Sequence, residues 1–461
     1  MKARYIILLL LGAIILPACL SACGEDRWAH YAEETKTDRW IYDTMQVHYY
    51  WEEAITDFDE TNFFIEPFKF FDGLLSNEDG KNGQHYSTID SLIISPSNRS
   101  ISYTNDSYGF EFALTQVSGS NYAALILYVL PNSPAADAGL KRGDWITAIN
   151  EENINKNNYT LLYKGTSAQF TLAQYNSEEK LLTNLKQTEI AASRSVDDNP
   201  VYYTNCYQVG NKKVGYLVYN HFTPGPTESA DTYDNELRQL SRYFAEQQVE
   251  EFILDLRYNN GGQLSCAQLM CCILAPQSAL GQTLGYLEYN TRRNPQEVAL
   301  SFDPNILQDG ANLNLSRLYV LTSAATASAS EMIINSLRPY MEVVVIGDDT
   351  EGKNVGSITF SNEELQLRMR PIVCKIYNAL HESEYKEGFK PLIYAREGIA
   401  TIDNFLPFGD SNELLLSNAL GLINGQLEGD NENIETTRVS GNSFIKSSIT
   451  RRATSAVILN Q

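Results

Sequence analysis

The chain has 461 residues, 43% of them hydrophobic, which is enough for two or three domains, each with a buried core. Its formal charge of −22 excludes the basic footprint that nucleic-acid binding requires. The five histidines (His30, His48, His85, His221, His381) show no HExxH or paired spacing, so the sequence predicts no metal site and no other cofactor.

Residues 1–22 read as a secretion signal, with Lys2 and Arg4 before an apolar run and Leu20-Ser-Ala-Cys23 at its end. A leucine, two small residues and a cysteine resemble the bacterial lipobox. Leu16-Pro-Ala-Cys19 is a weaker alternative for the same event. The expectation is cleavage before Cys23, a lipid on Cys23, and a protein tethered to a bacterial membrane in the cell envelope. Removing residues 1–22 takes away two bases and no acid, leaving a charge of about −24. No later stretch has the roughly 20 apolar residues of a spanning helix. Beyond Cys23, Cys206, Cys266, Cys271, Cys272 and Cys374 form no CxxC pair and read as small buried side chains.

Residues 23–99 form an expected N-terminal helical region. Thr37 is placed to cap a helix on which Ile41, Met45 and Tyr49 recur every four residues. Residues 100–186 read as a β-rich module. The strand Ala123–Leu130 leads to Ser133-Pro134, a helix start, then to the stop Gly139, the turn Gly143-Asp144 and the strand Trp145–Asn150. This order of elements resembles bacterial PDZ domains, and Tyr108-Gly109-Phe110 sits where that family places its carboxylate-binding loop. The resemblance implies peptide capture by strand addition at this loop.

From residue 200 to 425, strands alternate with helices, which predicts an α/β domain with a largely parallel sheet. Strands fall at 214–219, 252–256, 318–322 and 343–346. Helices fall around Leu237–Phe244, at 263–275 before Pro276, and at 330–338 before Pro339. Residues 426–461 read as a polar, loosely ordered C-terminal tail.

Three segments of the α/β region carry chemistry. Ser328 lies in Thr326-Ala-Ser-Ala-Ser-Glu331 at a predicted helix start, Lys353 follows 25 residues later, and Gly261-Gly262 closes a strand end upstream of both. A serine hydroxyl attacks only when a base takes its proton, and a lysine serves as that base only when its amine is neutral. The developing oxyanion needs fixed N–H donors, for which Ala329 and either Gly261 or Gly262 are placed. Ser330 is the rival nucleophile. Gly347–Asn354 approaches a phosphate-binding loop but lacks the Ser/Thr for magnesium, and Ser177-Glu-Glu-Lys180 has an S-x-x-K spacing without partner motifs.

Together these segments resemble the tail-specific (C-terminal processing) serine peptidases over roughly residues 100–424. Leu254-Asp-Leu-Arg-Tyr-Asn-Asn-Gly-Gly262 matches that family's D-L-R-x-N-x-G-G, Thr326–Glu331 its S-A-S-A-S-E, and Glu351-Gly-Lys353 its lysine segment. The resemblance implies Ser328 as nucleophile, Lys353 as general base, and the N–H groups of Gly261 and Ala329 as oxyanion pocket. Where the family often has a lysine-orienting glutamine, this chain has Ser357. Asp255, Arg257 and Asn259 read as structural. The implied activity is endoproteolysis of extracytoplasmic proteins or peptides near a free C-terminus, with the PDZ module holding the substrate's end. The alternative is a peptide-binding lipoprotein of the same fold without hydrolysis.

Overall fold

The computed structural model describes residues 28–92, 106–227, 230–427, 444–451 and 457–459. The expected signal segment and the lipidation candidate Cys23 lie outside the described residues. Among the described residues, no helix is long and apolar enough to cross a membrane.

A six-stranded sheet organises the α/β part, in the order Val201–Val209, Lys212–Tyr219, Glu251–Asp255, Arg317–Thr322, Glu342–Gly347, Ile393–Tyr394. The first pair is antiparallel and the later pairs are parallel. The inner strands Glu251–Asp255 and Arg317–Thr322 are almost wholly buried, as their unbroken apolar runs require. The helices Thr232–Glu246, Leu264–Leu274 and Ala329–Leu337 supply the rest of one core, with Leu237, Phe244, Met270, Ile273, Met332 and Ile333 buried in it.

The same core is closed by a second sheet that the alternating pattern did not predict. Its order is Glu297–Ser301, Thr283–Tyr289, Ile372–Asn378, Val355–Ser357, Val457–Ile458, antiparallel except for the last pair. The α/β part is therefore a mixed structure in which a mostly parallel sheet and a mostly antiparallel one share a core. Cys266, Cys271, Cys272 and Cys374 are buried within this core, and Cys206 is half-buried at its border.

The β-rich module is an antiparallel sheet of Phe110–Ser118, Asn121–Val129, Trp145–Ile149, Ala168–Asn176 and Leu181–Ile190, the last strand running past residue 186. Ser133 caps the short helix Pro134–Asp137 by accepting the Ala136 N–H at 3.1 Å. Gly139, at φ 77°, ends that helix in the left-handed region that glycine tolerates. One face of the module has its own core around Phe112, Ile126 and Phe170. The other face, with Leu125, Leu127, Tyr128 and Trp145, shares a core with the main sheet and the helix Leu414–Ile423.

The N-terminal region is helical, but its first helix runs from Trp28 to His48, so Thr37 is interior rather than a cap. The reason is local: Ala29–Lys36 is rich in strong helix formers, so nothing in it stops the helix short of Thr37. Ile41, Met45 and Tyr49 are buried as the four-residue spacing predicts, packed with Val355, Met369 and Ile372 of the α/β part. The described part of the C-terminal stretch also departs from expectation. Lys446–Ser447 joins the edge of the β-rich module, and Val457–Ile458 joins the second sheet. Ile449, Val457, Ile458 and Leu459 are buried, and burying aliphatic side chains of this size contributes about 1.5–3 kcal/mol each. These apolar residues were concealed in the sequence by their Asn-, Ser- and Thr-rich surroundings.

Candidate active site

Three loops meet beyond the C-terminal ends of parallel strands, where open α/β sheets expose backbone amides and side chains to a ligand. After Glu251–Asp255 comes the glycine loop, after Arg317–Thr322 the serine loop, and after Glu342–Gly347 the lysine loop. Asn259 fastens the first two. Its side-chain amide donates to Tyr219 O at 2.8 Å, and its own carbonyl accepts from Ala327 N at 3.2 Å and Ser330 Oγ at 3.0 Å. Ser330, the rival nucleophile, thus spends its hydroxyl proton on a structural bond in this arrangement.

Ser328 occupies the N-cap of the helix Ala329–Leu337 at φ 63° and ψ −117°, a conformation rarely adopted by any residue with a side chain. Its hydroxyl is fully buried and has no hydrogen-bond partner among the described residues. A buried hydroxyl left unpaired is costly, and a catalytic role is one of the reasons such a group is kept. The first-turn amide of Ala329 lies at the helix N-terminus, where the macrodipole favours negative charge.

Glu331 ties the serine loop to the lysine loop. One carboxylate oxygen accepts from Ser328 N at 2.9 Å and Lys353 N at 2.8 Å. The other accepts from Thr350 Oγ1 and Gly352 N, each at 2.6 Å. The backbone nitrogens of Ser328 and Lys353 are therefore at most two hydrogen bonds apart. Glu331 is fully buried, and burial pushes its carboxyl above the ordinary value while the four donors hold it down. The sequence did carry a signal for this residue: Ser328-Ala-Ser-Glu331 has the spacing of a capping box.

Burial lowers the Lys353 ammonium below its ordinary pKa, against the opposing pull of Glu351 and Glu331. Its Nζ lies 5.1 Å from the ring centroid of Tyr86 and makes no ion pair or hydrogen bond with the described residues, Ser328 and Ser357 included. Ser357 is buried in the strand Val355–Ser357 and so sits beyond the lysine loop, in the second sheet. Tyr86 comes from the N-terminal region, and no local pattern pointed to it. There Asp79 accepts Tyr86 N and Ser87 N at 3.0 Å and the Tyr49 hydroxyl at 2.9 Å. Lys81 from the same loop donates to the carbonyls of Glu351 (2.7 Å) and Lys386 (3.2 Å), holding the lysine loop from outside.

The glycine pair requires a correction. Gly261 N–H donates to Asn259 Oδ1 at 2.9 Å, so in this structure that amide is engaged and is not a free oxyanion donor. The loop turns tightly here, and an asparagine two residues back is well placed to accept it. What Gly261 does provide is room: a Cβ there would lie 2.7 Å from Ser328 Cβ and 2.8 Å from Ser328 Oγ. Gly262 N–H has no partner among the described residues, while its carbonyl accepts Ile458 N at 2.9 Å.

Of the other candidates, Tyr108, Gly109 and Phe110 lead into the edge strand Phe110–Ser118 of the β-rich module, with Gly109 at φ 82°. Tyr108 and Phe110 are buried, and Gly109 packs against Ser133, where a Cβ would come within 2.1 Å. His221 is structural: its ring nitrogens face Thr223 Oγ1 at 3.0 Å and Asp198 O at 2.8 Å. Arg257, fully buried, pairs with Asp255 (2.7 Å), Glu413 (2.5 Å) and Glu397 (2.8 Å), in keeping with its reading as structural.

Residues 213–393 match the profile of peptidase family S41, residues 36–88 the peptidase S41 N-terminal domain, and residues 125–162 a PDZ domain. A crystal structure from Bacteroides fragilis NCTC 9343, assigned to the S41 proteases, is 39% identical. It superimposes with a TM-score of 0.76, covering 84% of this chain and 98% of that one. The chain belongs to peptidase family S41, whose members are serine proteases. A carboxyl-terminal-processing protease of Picosynechococcus is 26% identical over 58% of this chain and 59% of the relative. The carboxy-terminal processing protease CtpB of Bacillus subtilis is 23% identical over 53% and 47%. The chain thus spans about half to three fifths of the length of these curated relatives.

Proposed function

We propose that this chain is a serine endopeptidase in which Ser328 attacks and Lys353 takes and returns the proton. Neutral Lys353 Nζ accepts the Ser328 hydroxyl proton as Oγ adds to the scissile carbonyl carbon. The oxyanion is held by Ala329 N–H and by an amide of the glycine pair: Gly262, or Gly261 once Asn259 releases it. The C–N bond then breaks, the amine leaves with the proton from Lys353, and water, deprotonated by the same lysine, frees the acyl group from Ser328. Ser357 is proposed to orient the lysine only after a side-chain rearrangement that brings the two together. Substrates are extracytoplasmic proteins or peptides cut near their C-termini, whose ends dock at Tyr108, Gly109 and Phe110. The enzyme is anchored in the cell envelope by a lipid on Cys23.

The observation that carries this reading is the shared grip of Glu331 on Ser328 and Lys353, beside a buried serine hydroxyl that bonds nothing among the described residues. A second reading, a peptide-binding lipoprotein without hydrolysis, is favoured by the engaged Gly261 amide and by the missing serine–lysine hydrogen bond. Labelling with a fluorophosphonate probe and mapping the modified residue separates the two. Label on Ser328, with Ser328→Ala and Lys353→Ala each lowering turnover at least about a thousandfold, supports the peptidase. Full turnover by either folded variant refutes the assignment.

A further inference from the structure

Strand addition is how PDZ domains take peptides and how a peptidase aligns a scissile chain, because main-chain hydrogen bonds then fix the register. Among the described residues, two strand edges near the candidate sites are occupied by late segments of the same chain. At the first, Lys446 and Ser447 pair antiparallel with Leu114 and Ala113 of the strand that follows Tyr108-Gly109-Phe110. Ile445 N donates to Leu114 O at 2.7 Å, and Ser448 Oγ accepts Phe112 N at 2.7 Å. The segment thus runs towards the carboxylate-binding loop, the sense a captured peptide takes. Lys446 Nζ reaches Tyr159 Oη at 2.7 Å, so the segment also touches the 3-10 turn Tyr159–Leu162 of the same module.

The second edge is at the site itself. Val457 and Ile458 pair parallel with Gly356 and Ser357, on the strand that begins two residues after Lys353. Ile458 N donates to Gly262 O at 2.9 Å, and Leu459 N to Ser357 O at 3.0 Å. An extended run of three aliphatic residues is therefore strung between the glycine loop and the strand beyond the lysine. Its side chains are buried, and Ser328 is buried with it. Between the two edges, Asn260 Nδ2 donates to Ile449 O at 3.4 Å.

We propose that residues 445–448 and 457–459 occupy, in cis, the two strand-addition edges this peptidase offers its substrates, and that its substrates are extended, aliphatic chain ends that displace them. This rests on the peptidase reading above. The substrate class is inferred from the occupant: Val457, Ile458 and Leu459 lay branched aliphatic side chains in extended conformation along the edge beyond the lysine loop. Regulation follows as well, because any substrate must compete with a segment already present at high effective concentration.

The test uses the full chain carrying Ser328→Ala, so that binding is read without chemistry. A fluorescent peptide spanning residues 455–461 is titrated by anisotropy against this chain and against the same chain with Ile458→Pro, which lacks the N–H given to Gly262. Affinity should rise at least about tenfold in the proline variant, the rise expected if the intact segment fills the edge nine-tenths of the time or more. The same peptide with serine at its three aliphatic positions should bind at least about tenfold more weakly. As a check that needs no change in the segment, excess peptide added to the Ser328→Ala chain should speed hydrogen exchange at the Ile458 and Leu459 amides. Equal affinities in both chains, equal binding of the polar peptide, or unchanged exchange would each overturn the proposal. Loss of the peptidase reading shows differently: displacement persists while the chain with Ser328 intact neither labels nor cleaves.

Discussion

At φ 63° the backbone of Ser328 is held where a side chain costs of order 1–3 kcal/mol, and such strain survives only where the surroundings over-determine it. The surroundings here are Glu331 on one side and the Asn259-anchored glycine loop on the other. Lys353 has the complementary property, an amine whose burial favours the neutral form. The pH dependence follows by sign. Below its lowered pKa the amine is protonated and inactive as a base, so kcat/KM should rise with pH and level off below 10.5, the ordinary lysine value. A profile still climbing steeply through pH 10.5 would remove Lys353 from the role of base. The unfolded chain binds more protons than the folded one between the lowered and the ordinary value, so this group makes stability rise with pH across that window. Ser328 and Lys353 were legible in the sequence as candidates, because each lies in a short segment of distinctive residue types and spacing, and the structure brings their two loops together through Glu331. Tyr86 and Lys81 were not, since they reach the lysine loop from more than 250 positions away. The engaged amide of Gly261 was also hidden, because which hydrogen bond a loop amide makes depends on local torsions.

Among the elements, a buried ion network joins the PDZ module to the α/β part. Arg142, in the turn that leads into the module's strand Trp145–Ile149, donates to Leu127 O, Tyr258 Oη and Leu406 O. It pairs with Glu397, stacks 3.6 Å from the ring centroid of Phe405, and shares Glu397 and Glu413 with Arg257. Burial alone would raise the Glu397 carboxyl, but Arg142 and Arg257 outweigh it and hold the group down at about 2. Its folded value is depressed, so its contribution to stability is complete above 4.5 and is lost as pH falls from there towards 2. Arg142→Ala should cost about 3–5 kcal/mol in urea denaturation at neutral pH, since it strands buried carboxylates, and should shrink the loss seen on acidification. A cost within about 0.5 kcal/mol, that of a surface change, would show that the network does not hold the module in place. The strands and helices of the main sheet were legible because buried parallel strands read as unbroken apolar runs. The second sheet was not. Its members are scattered from residue 283 to residue 458, and no local signal says that Val355–Ser357 will be flanked by strands from both later parts of the chain.

For the molecule as a whole, the regions divide less cleanly than their sequences do. The N-terminal region shares a core with Val355, Met369 and Ile372, and the PDZ module shares one with the main sheet. The late segments then close both the module's edge and the second sheet. Composition assigned those segments to a polar tail because it averages over residues, whereas burial selects individual ones such as Ile449 and Val457.

The dispersed thiols turn this interlocking into something measurable. Burial pushes all five up, Cys272 and Cys374 to about 12, so at neutral pH they are scarcely ionised as well as shielded. Iodoacetamide should leave Cys266, Cys271, Cys272 and Cys374 unalkylated in the native protein and consume them together on denaturation. Staggered alkylation at low urea would instead mean that the layers separate in succession. Because these sulfurs lie on a helix and on a strand that pack into one core, their simultaneous modification would clock the opening of that core, with no need for a substrate.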